Sequence, residues 1–213
     1  MRAILPSAVM VAETRDITTD GVLLPEEAFA LGQVSDKRRR EFTAGRICAR
    51  RALADLGHPP APILPGPDRA PLWPQGVLGS ITHCDGYCAA AVASKGTFAA
   101  IGIDAEPDAA LPQDVFEHIT LAKERTWLCE QPAALNWARV LFSAKESVFK
   151  AWFAMTGQWL DFADACVTID PGNGCFRAEF AAGAAPAIDG RYSVRGGLVL
   201  TAIAIKAHGG SQR

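Results

Sequence analysis

The sequence predicts an α+β protein with two similar halves, each a long helix packed on a small antiparallel sheet. Three observations predict it. Two long helical patterns, one between Ser35 and Gly57 and one over 132–155, are each followed by short apolar runs. Those runs are joined by Asp85-Gly86, by Gly196-Gly197 and by Asp170-Pro171-Gly172-Asn173-Gly174. Such turns make antiparallel hairpins, whereas parallel strands need crossovers. The length, 213 residues, suffices for one large domain or two small packed units.

Residues 1–15 read as a short strand and a loop. The apolar start, broken by Pro6, suits a strand better than a secretory leader. Pro25-Glu26-Glu27 opens a helical turn. In the first long helix Ser35 is the N-cap, Phe42, Ile47, Cys48, Ala52, Leu53 and Leu56 are apolar, and Gly57 is the stop. Its other face carries Arg38, Arg39, Arg40, Arg46, Arg50 and Arg51, either a solvated surface or an anion site. Seven prolines over 58–76 make an irregular connection. The runs 77–83 and 87–93 form a hairpin, and a third strand over 98–103 leads into Asp104-Ala105-Glu106-Pro107. Short helices at 113–119 and 121–130 precede the second long helix, with Pro132 in its first turn and Gly157 at its stop. Strands follow at 164–169, 175–180, 192–195 and 198–205. The halves divide at 1–106 and 107–213.

Composition excludes some classes. The 21 basic and 23 acidic residues give a net charge of −2, with 49% hydrophobic and 21% charged residues. That is an ordinary soluble balance with no basic excess for nucleic acid. No run approaches the roughly 18 apolar residues of a membrane span. The six cysteines have no C-x-x-C pair, and His83-Cys84 with Cys88 lacks a second ligand pair for zinc. Buried, reduced thiols in a cytoplasmic protein are expected.

Two segments carry chemistry. Asp104 and Glu106 are two apart at the end of an apolar strand and so share a face. Two carboxylates there repel unless a cation or donor joins them, and magnesium prefers oxygen ligands. Glu146 and Lys150 are four apart on the second long helix, beside Lys145 and among Leu141, Phe142, Val148, Phe149, Trp152 and Phe153. This places Lys145, Glu146 and Lys150 at the rim of a cleft, with Glu146 a metal ligand or general base. Ser80, Thr82 and His83 add hydroxyls and an imidazole close to the metal strand.

Gly102-Ile103-Asp104-Ala105-Glu106, Phe142-Ser143-Ala144-Lys145-Glu146-Ser147-Val148-Phe149-Lys150 and Trp73-Pro74-Gln75-Gly76 with Gly79-Ser80-Ile81-Thr82-His83 occur in this order. Together they resemble 4′-phosphopantetheinyl transferases of the surfactin-synthetase-activating and enterobactin-associated type, over roughly 37–160. The actinobacterial branch is suggested by Arg46, Cys48-Ala49-Arg50, Pro62-Ile63-Leu64 and Lys150-Ala151-Trp152-Phe153. The resemblance implies that fold, a monomer, and coenzyme A bound in the cleft between the halves. Arg38 and Arg46 would meet the 3′-phosphate end, with Asp68 and Arg69 on a loop where some relatives carry lysine. Ser80, Thr82 and His83 would hold phosphate oxygens. Asp104, Glu106 and Glu146 would bind Mg²⁺, or Mn²⁺. Asp104, Glu146 and Lys150 would also face the coenzyme. A serine of an apo acyl or peptidyl carrier protein would attack. Glu146 would take its proton and Lys150, assisted by Lys145, would neutralise the departing 3′,5′-ADP. Arg125, Trp127 and Arg139 are candidates for carrier docking. The rival readings are a coenzyme A-binding module without catalysis and a magnesium-dependent nuclease.

Overall fold

The computed structural model describes residues 1–17, 21–181 and 185–207. After a 3-10 turn at Arg2–Ile4 come β1 (Met10–Thr14), α1 (Pro25–Leu31) and α2 (Asp36–Asp55). The proline-rich connection leads to β2 (Val77–Cys84), β3 (Tyr87–Ser94) and β4 (Phe98–Pro107). The second half runs α3 (Gln113–Ile119), α4 (Ala122–Glu130), α5 (Trp137–Thr156), β5 (Ala165–Asp170), β6 (Cys175–Phe180), β7 (Ile188–Arg195) and β8 (Leu198–Lys206). All pairings are antiparallel, in a three-stranded sheet β1-β3-β2 and a five-stranded sheet β4-β8-β7-β6-β5. This is the α+β architecture that the turns and the two long helices predicted.

Local chemistry accounts for the element ends. Ser35 Oγ accepts the Arg38 amide at 3.3 Å and caps α2. Gly157, left-handed at φ 65°, ends α5. Three boundaries differ from the sequence reading. The first strand is at Met10–Thr14, because residues 2–4 turn so that Met1, Ile4 and Val9 enter the core. The second long helix starts at Trp137 rather than at Pro132, since 132–135 form a turn whose Pro132 carbonyl accepts the Trp137 indole N–H. The 106/107 division assigned β4 to the first half, whereas β4 pairs with β8 over its whole length and is an edge of the second sheet.

Each long helix buries an apolar face on its sheet. Ala44, Cys48, Ala49, Ala52 and Leu53 of α2 pack on Cys88, Ala90 and Val92 of β3. Val140, Leu141, Ala144, Val148 and Ala151 of α5 pack on Val167, Phe176, Ala178 and Ile203. Among the described residues no helix is long and apolar enough to cross a membrane.

Two close approaches fix the site. A Cβ on Gly102 would lie 2.0 Å from the Ser147 carbonyl oxygen and 2.9 Å from the Ala151 nitrogen, so glycine lets α5 lie directly on β4. A Cβ on Gly79 would meet the Ala91 oxygen at 2.5 Å and the Trp73 ring at 2.8 Å, while the Trp73 indole N–H donates to the Gly79 carbonyl.

A buried ion pair ties the second half together. Lys145 Nζ donates to Glu124 at 2.9 Å, to the Ile119 carbonyl and to the Phe162 carbonyl. Glu124 also accepts the Leu121 and Val167 amides. Removing one partner of such a pair strands a charge in low dielectric. Glu124→Ala is therefore expected to cost about 3–5 kcal/mol, read from the urea unfolding midpoint. An unchanged midpoint would show that the pair holds nothing.

Candidate active site

α5 runs antiparallel to β4, and the register determines which side chains meet. Arg139, at the start of α5, reaches Glu106 at the end of β4, with Nη1 2.9 Å from Oε2. One turn later Ser143 Oγ donates to Asp104 Oδ2 at 2.8 Å. Lys150 Nζ donates to Asp104 Oδ1 at 2.7 Å and to the Ile103 carbonyl at 3.1 Å. Residues 139, 143, 146 and 150 are three or four apart and so form one polar stripe on the helix.

Asp104 is the node of the site. It is 4% exposed, and its oxygens accept from Lys150, Ser143 and Thr82. Behind it, Ser143 and Thr201 hydroxyls lie 3.0 Å apart, and Thr201 donates to the Ser143 carbonyl. A buried carboxylate with this many donors is held in one orientation.

The other two carboxylates feel Asp104. Burial first, then the Asp104 charge, pushes Glu106 up to about 7, although Arg139 opposes the shift. Burial also raises Glu146 above the usual carboxylate range, with Lys150 opposing and Asp104 adding to it. Glu146 makes no hydrogen bond among the described residues. The Cys84 thiol registers the same field: burial, then Glu106, Asp104 and Asp85, push it up to about 12.

Among the described residues no three His, Cys, Asp or Glu side chains converge into a finished metal cage. The donor chemistry nonetheless fits a hard divalent cation. Asp104, Glu106 and Glu146 are oxygen donors of the type magnesium prefers, and magnesium needs only one or two carboxylates, completing its shell with water and substrate phosphate.

Arg38 and His83 come together from α2 and β2. Arg38 Nη1 is 3.4 Å from His83 Nε2, and His83 Nδ1 is 3.9 Å from Glu41. Burial lowers His83 below the ordinary imidazole range, Glu41 opposing, so a neutral ring can accept the Arg38 hydrogen bond. The arginine face of α2 divides. Arg50 donates to buried Glu27, which also accepts the Leu24 and Ile63 amides. Arg46, 6% exposed, stacks on Phe42 and donates Nε to the Ile63 carbonyl. Its terminal nitrogens have no partner among the described residues. Asp68 and Arg69 are exposed at the tip of a loop closed by a Pro65–Pro71 bridge, and both have positive φ.

Several sequence expectations need correction. Lys145 is not on the cleft rim. It lies about 200° around the helix from Ser143, and its ammonium is buried against Glu124. Ser80 and Thr82 do not present free hydroxyls. Ser80 Oγ accepts the Ile103 amide at 3.2 Å, and Thr82 Oγ1 accepts the Ala105 amide at 3.1 Å while donating to Asp104. β2 and β4 share no backbone ladder, so these hydroxyls satisfy the amides of β4 that face β2. Of the docking candidates, Arg139 is turned toward Glu106, and Arg125 is exposed but tied to the end of α3 through the Glu117 and Thr120 carbonyls. Trp127 packs edge-on against Trp137.

Sequence reasoning missed Ser143, Thr201, Arg139 and Glu41 as site neighbours. Ser143 and Arg139 were readable from the stripe spacing. Thr201 was not, because it depends on the β4–β8 register.

Comparison with known proteins shows the family. The model described as the 4'-phosphopantetheinyl transferase N-terminal domain matches residues 26–93. The model of the 4'-phosphopantetheinyl transferase superfamily matches residues 100–200. The chain is similar to the 4'-phosphopantetheinyl transferase Npt of Nocardia iowensis, with 45% identity covering 96% of this chain and 99% of the relative. It is similar to PptT of Mycobacterium tuberculosis, with 44% identity covering 85% and 86%. Enterobactin synthase component D of Escherichia coli is 39% identical over 62% of this chain and 63% of its own length. Two adjoining family models and relatives aligned nearly end to end leave one conclusion: the chain belongs to the 4'-phosphopantetheinyl transferase superfamily of enzymes.

Proposed function

We propose that this enzyme transfers the 4′-phosphopantetheine arm of coenzyme A to a serine of an apo carrier protein and releases 3′,5′-ADP. The observation that carries the reading is the β4–α5 register, which gathers Asp104, Glu106, Glu146 and Lys150 at one wall near the Arg38–His83 pair. The family match and the names of the relatives support it. Both walls come from one chain, so a monomer suffices.

The serine oxygen attacks the pantetheine-side phosphorus, and the bond from that phosphorus to the pyrophosphate bridging oxygen breaks. Most of the catalytic work in such a transfer is positioning and charge neutralisation. Arg38, His83 and the terminal nitrogens of Arg46 receive the 3′-phosphate end, and exposed Arg69 is a further candidate for it; the Asp68 carboxylate lacks a donor for phosphate. Asp104, Glu106 and Glu146 would hold Mg²⁺ or Mn²⁺, which when bound supplies positive charge to the pyrophosphate oxygens. Glu146, its oxygens free of hydrogen bonds among the described residues, takes the serine proton. Lys150, bonded to Asp104 and about a quarter exposed, offsets the charge growing on the departing 3′,5′-ADP. Thr82 acts by orienting Asp104, and Ser80 by tying β2 to β4.

The test is incubation of the pure protein with coenzyme A, magnesium and apo carriers. The expected result is a carrier heavier by one phosphopantetheine arm, lost on chelation and restored by magnesium. Coenzyme A binding without transfer to any carrier would overturn the proposal. Lys150→Ala is expected to slow transfer about 10²-fold, the scale of one lost preorganised donor, in a rapid-quench assay. An unchanged rate would remove Lys150 from the chemistry.

A further inference from the structure

We infer that Arg139 is a positioning residue that presents Glu106 to the divalent cation. The inference rests on the metal reading of Asp104, Glu106 and Glu146 given above. Arg139 is fixed at three points. Nη1 donates to Glu106 Oε2 at 2.9 Å, Nε to the Ala109 carbonyl at 3.1 Å and Nη2 to the Ala110 carbonyl at 2.8 Å. Its side chain is 13% exposed and that of Glu106 is 21% exposed. One turn earlier Asn136 donates to Asp108, whose amide donates to the Gly197 carbonyl. The segment leaving β4 is thus pinned to α5 and to the β7–β8 turn.

The two oxygens of Glu106 are unequal. Oε2 is held by the guanidinium, and Oε1 has no hydrogen bond among the described residues. Glu106 and Asp104 lie two apart on one strand and share a face. The bond to Oε2 restricts rotation of the carboxylate and leaves Oε1 as the oxygen available to a cation on the face shared with Asp104. A second group that orients a metal ligand typically changes metal affinity 10- to 100-fold when removed. Arg139 also offsets the repulsion between the two carboxylates before any cation arrives. The planar guanidinium reaches the carboxylate and two successive carbonyls from three separate nitrogens in a fixed fork, a geometry that a single ammonium nitrogen does not reproduce.

The experiment is Mn²⁺ binding by the full chain with coenzyme A present, read as free Mn²⁺ by electron paramagnetic resonance. Wild type, Arg139→Ala, Arg139→Lys, Glu106→Gln and Arg139→Ala/Glu106→Gln are compared, each first checked for folding by its melting temperature. Arg139→Ala is expected to bind Mn²⁺ about tenfold more weakly, with Arg139→Lys recovering part of the loss. The double variant is expected to bind no worse than Glu106→Gln, because the arginine acts through that carboxylate. The magnesium concentration for half-maximal transfer should rise in parallel, while the rate at saturating magnesium changes less. If Arg139→Ala melts lower but, while folded, binds Mn²⁺ like wild type, Arg139 is only an anchor for Ala109 and Ala110 and the inference falls. If wild type binds no Mn²⁺, the metal reading itself falls and takes this inference with it.

Discussion

Asp104→Asn is expected to lower the rate of carrier modification about 10³-fold, the upper scale for one preorganised electrostatic group. The substitution keeps shape and volume and changes only charge and hydrogen-bonding sense. Asp104 accepts from Lys150 and Thr82 on one oxygen and from Ser143 on the other. An amide must turn its NH₂ toward one side, where it meets either the Lys150 ammonium or the Ser143 hydroxyl. Lys150 then loses its counter-charge, and the wall loses the oxygen ligand nearest its centre. Removing an acceptor from a buried group leaves donors unpaired at about 1–3 kcal/mol, so a lower melting temperature should accompany the lost activity. Mass spectrometry of the carrier after timed incubation gives the rate. A variant within tenfold of wild type would remove Asp104 from the reaction.

Gly102→Ala is expected to destabilise the protein by about 5 kcal/mol, the range reserved for severe backbone clashes. A methyl group there would sit 2.0 Å from the Ser147 carbonyl oxygen and 3.0 Å from its carbonyl carbon. Neither atom belongs to a flexible side chain, so the whole of α5 must lift from β4. The same displacement separates Arg139 from Glu106, Ser143 from Asp104 and Lys150 from Asp104. Stability and activity therefore fall together, which distinguishes this variant from those in the polar stripe. Chemical denaturation gives the magnitude. A stability loss under about 1 kcal/mol, typical of an ordinary substitution, would show that the helix has room to move.

The fold was legible where local chemistry decides it. Ser35, the Asp85-Gly86 pair, Gly157 and the alternation of apolar strands each fix their element with near neighbours. Pro132 misled because a proline that suits a first helical turn also suits the turn before one, and the Trp137 indole bond to its carbonyl selects the second. Placing β4 in the second sheet needed a partner strand some hundred residues away, which no local pattern encodes. The site was legible as a set of residues but less so as roles. Adjacent positions on a helix point about 100° apart, and that angle alone separates the inward Lys145 from Glu146. Ser80 and Thr82 were expected to hold phosphate because the family resemblance implies it, whereas the amides of β4 that they accept are not visible in sequence.

The hydroxyl contacts of Ser80 and Thr82 make β4 a strand with two different edges. One edge is a backbone ladder to β8, regular from Ala100 to Pro107, in which each bond is reinforced by its neighbours. The other is a pair of side-chain stitches at Ile103 and Ala105. A ladder imposes one twist and one spacing on the strands it joins, but a stitch through a rotatable hydroxyl does not. Two small hydroxyl side chains thus join the second sheet to the first without any inserted loop, and one of them, Thr82, also bonds Asp104.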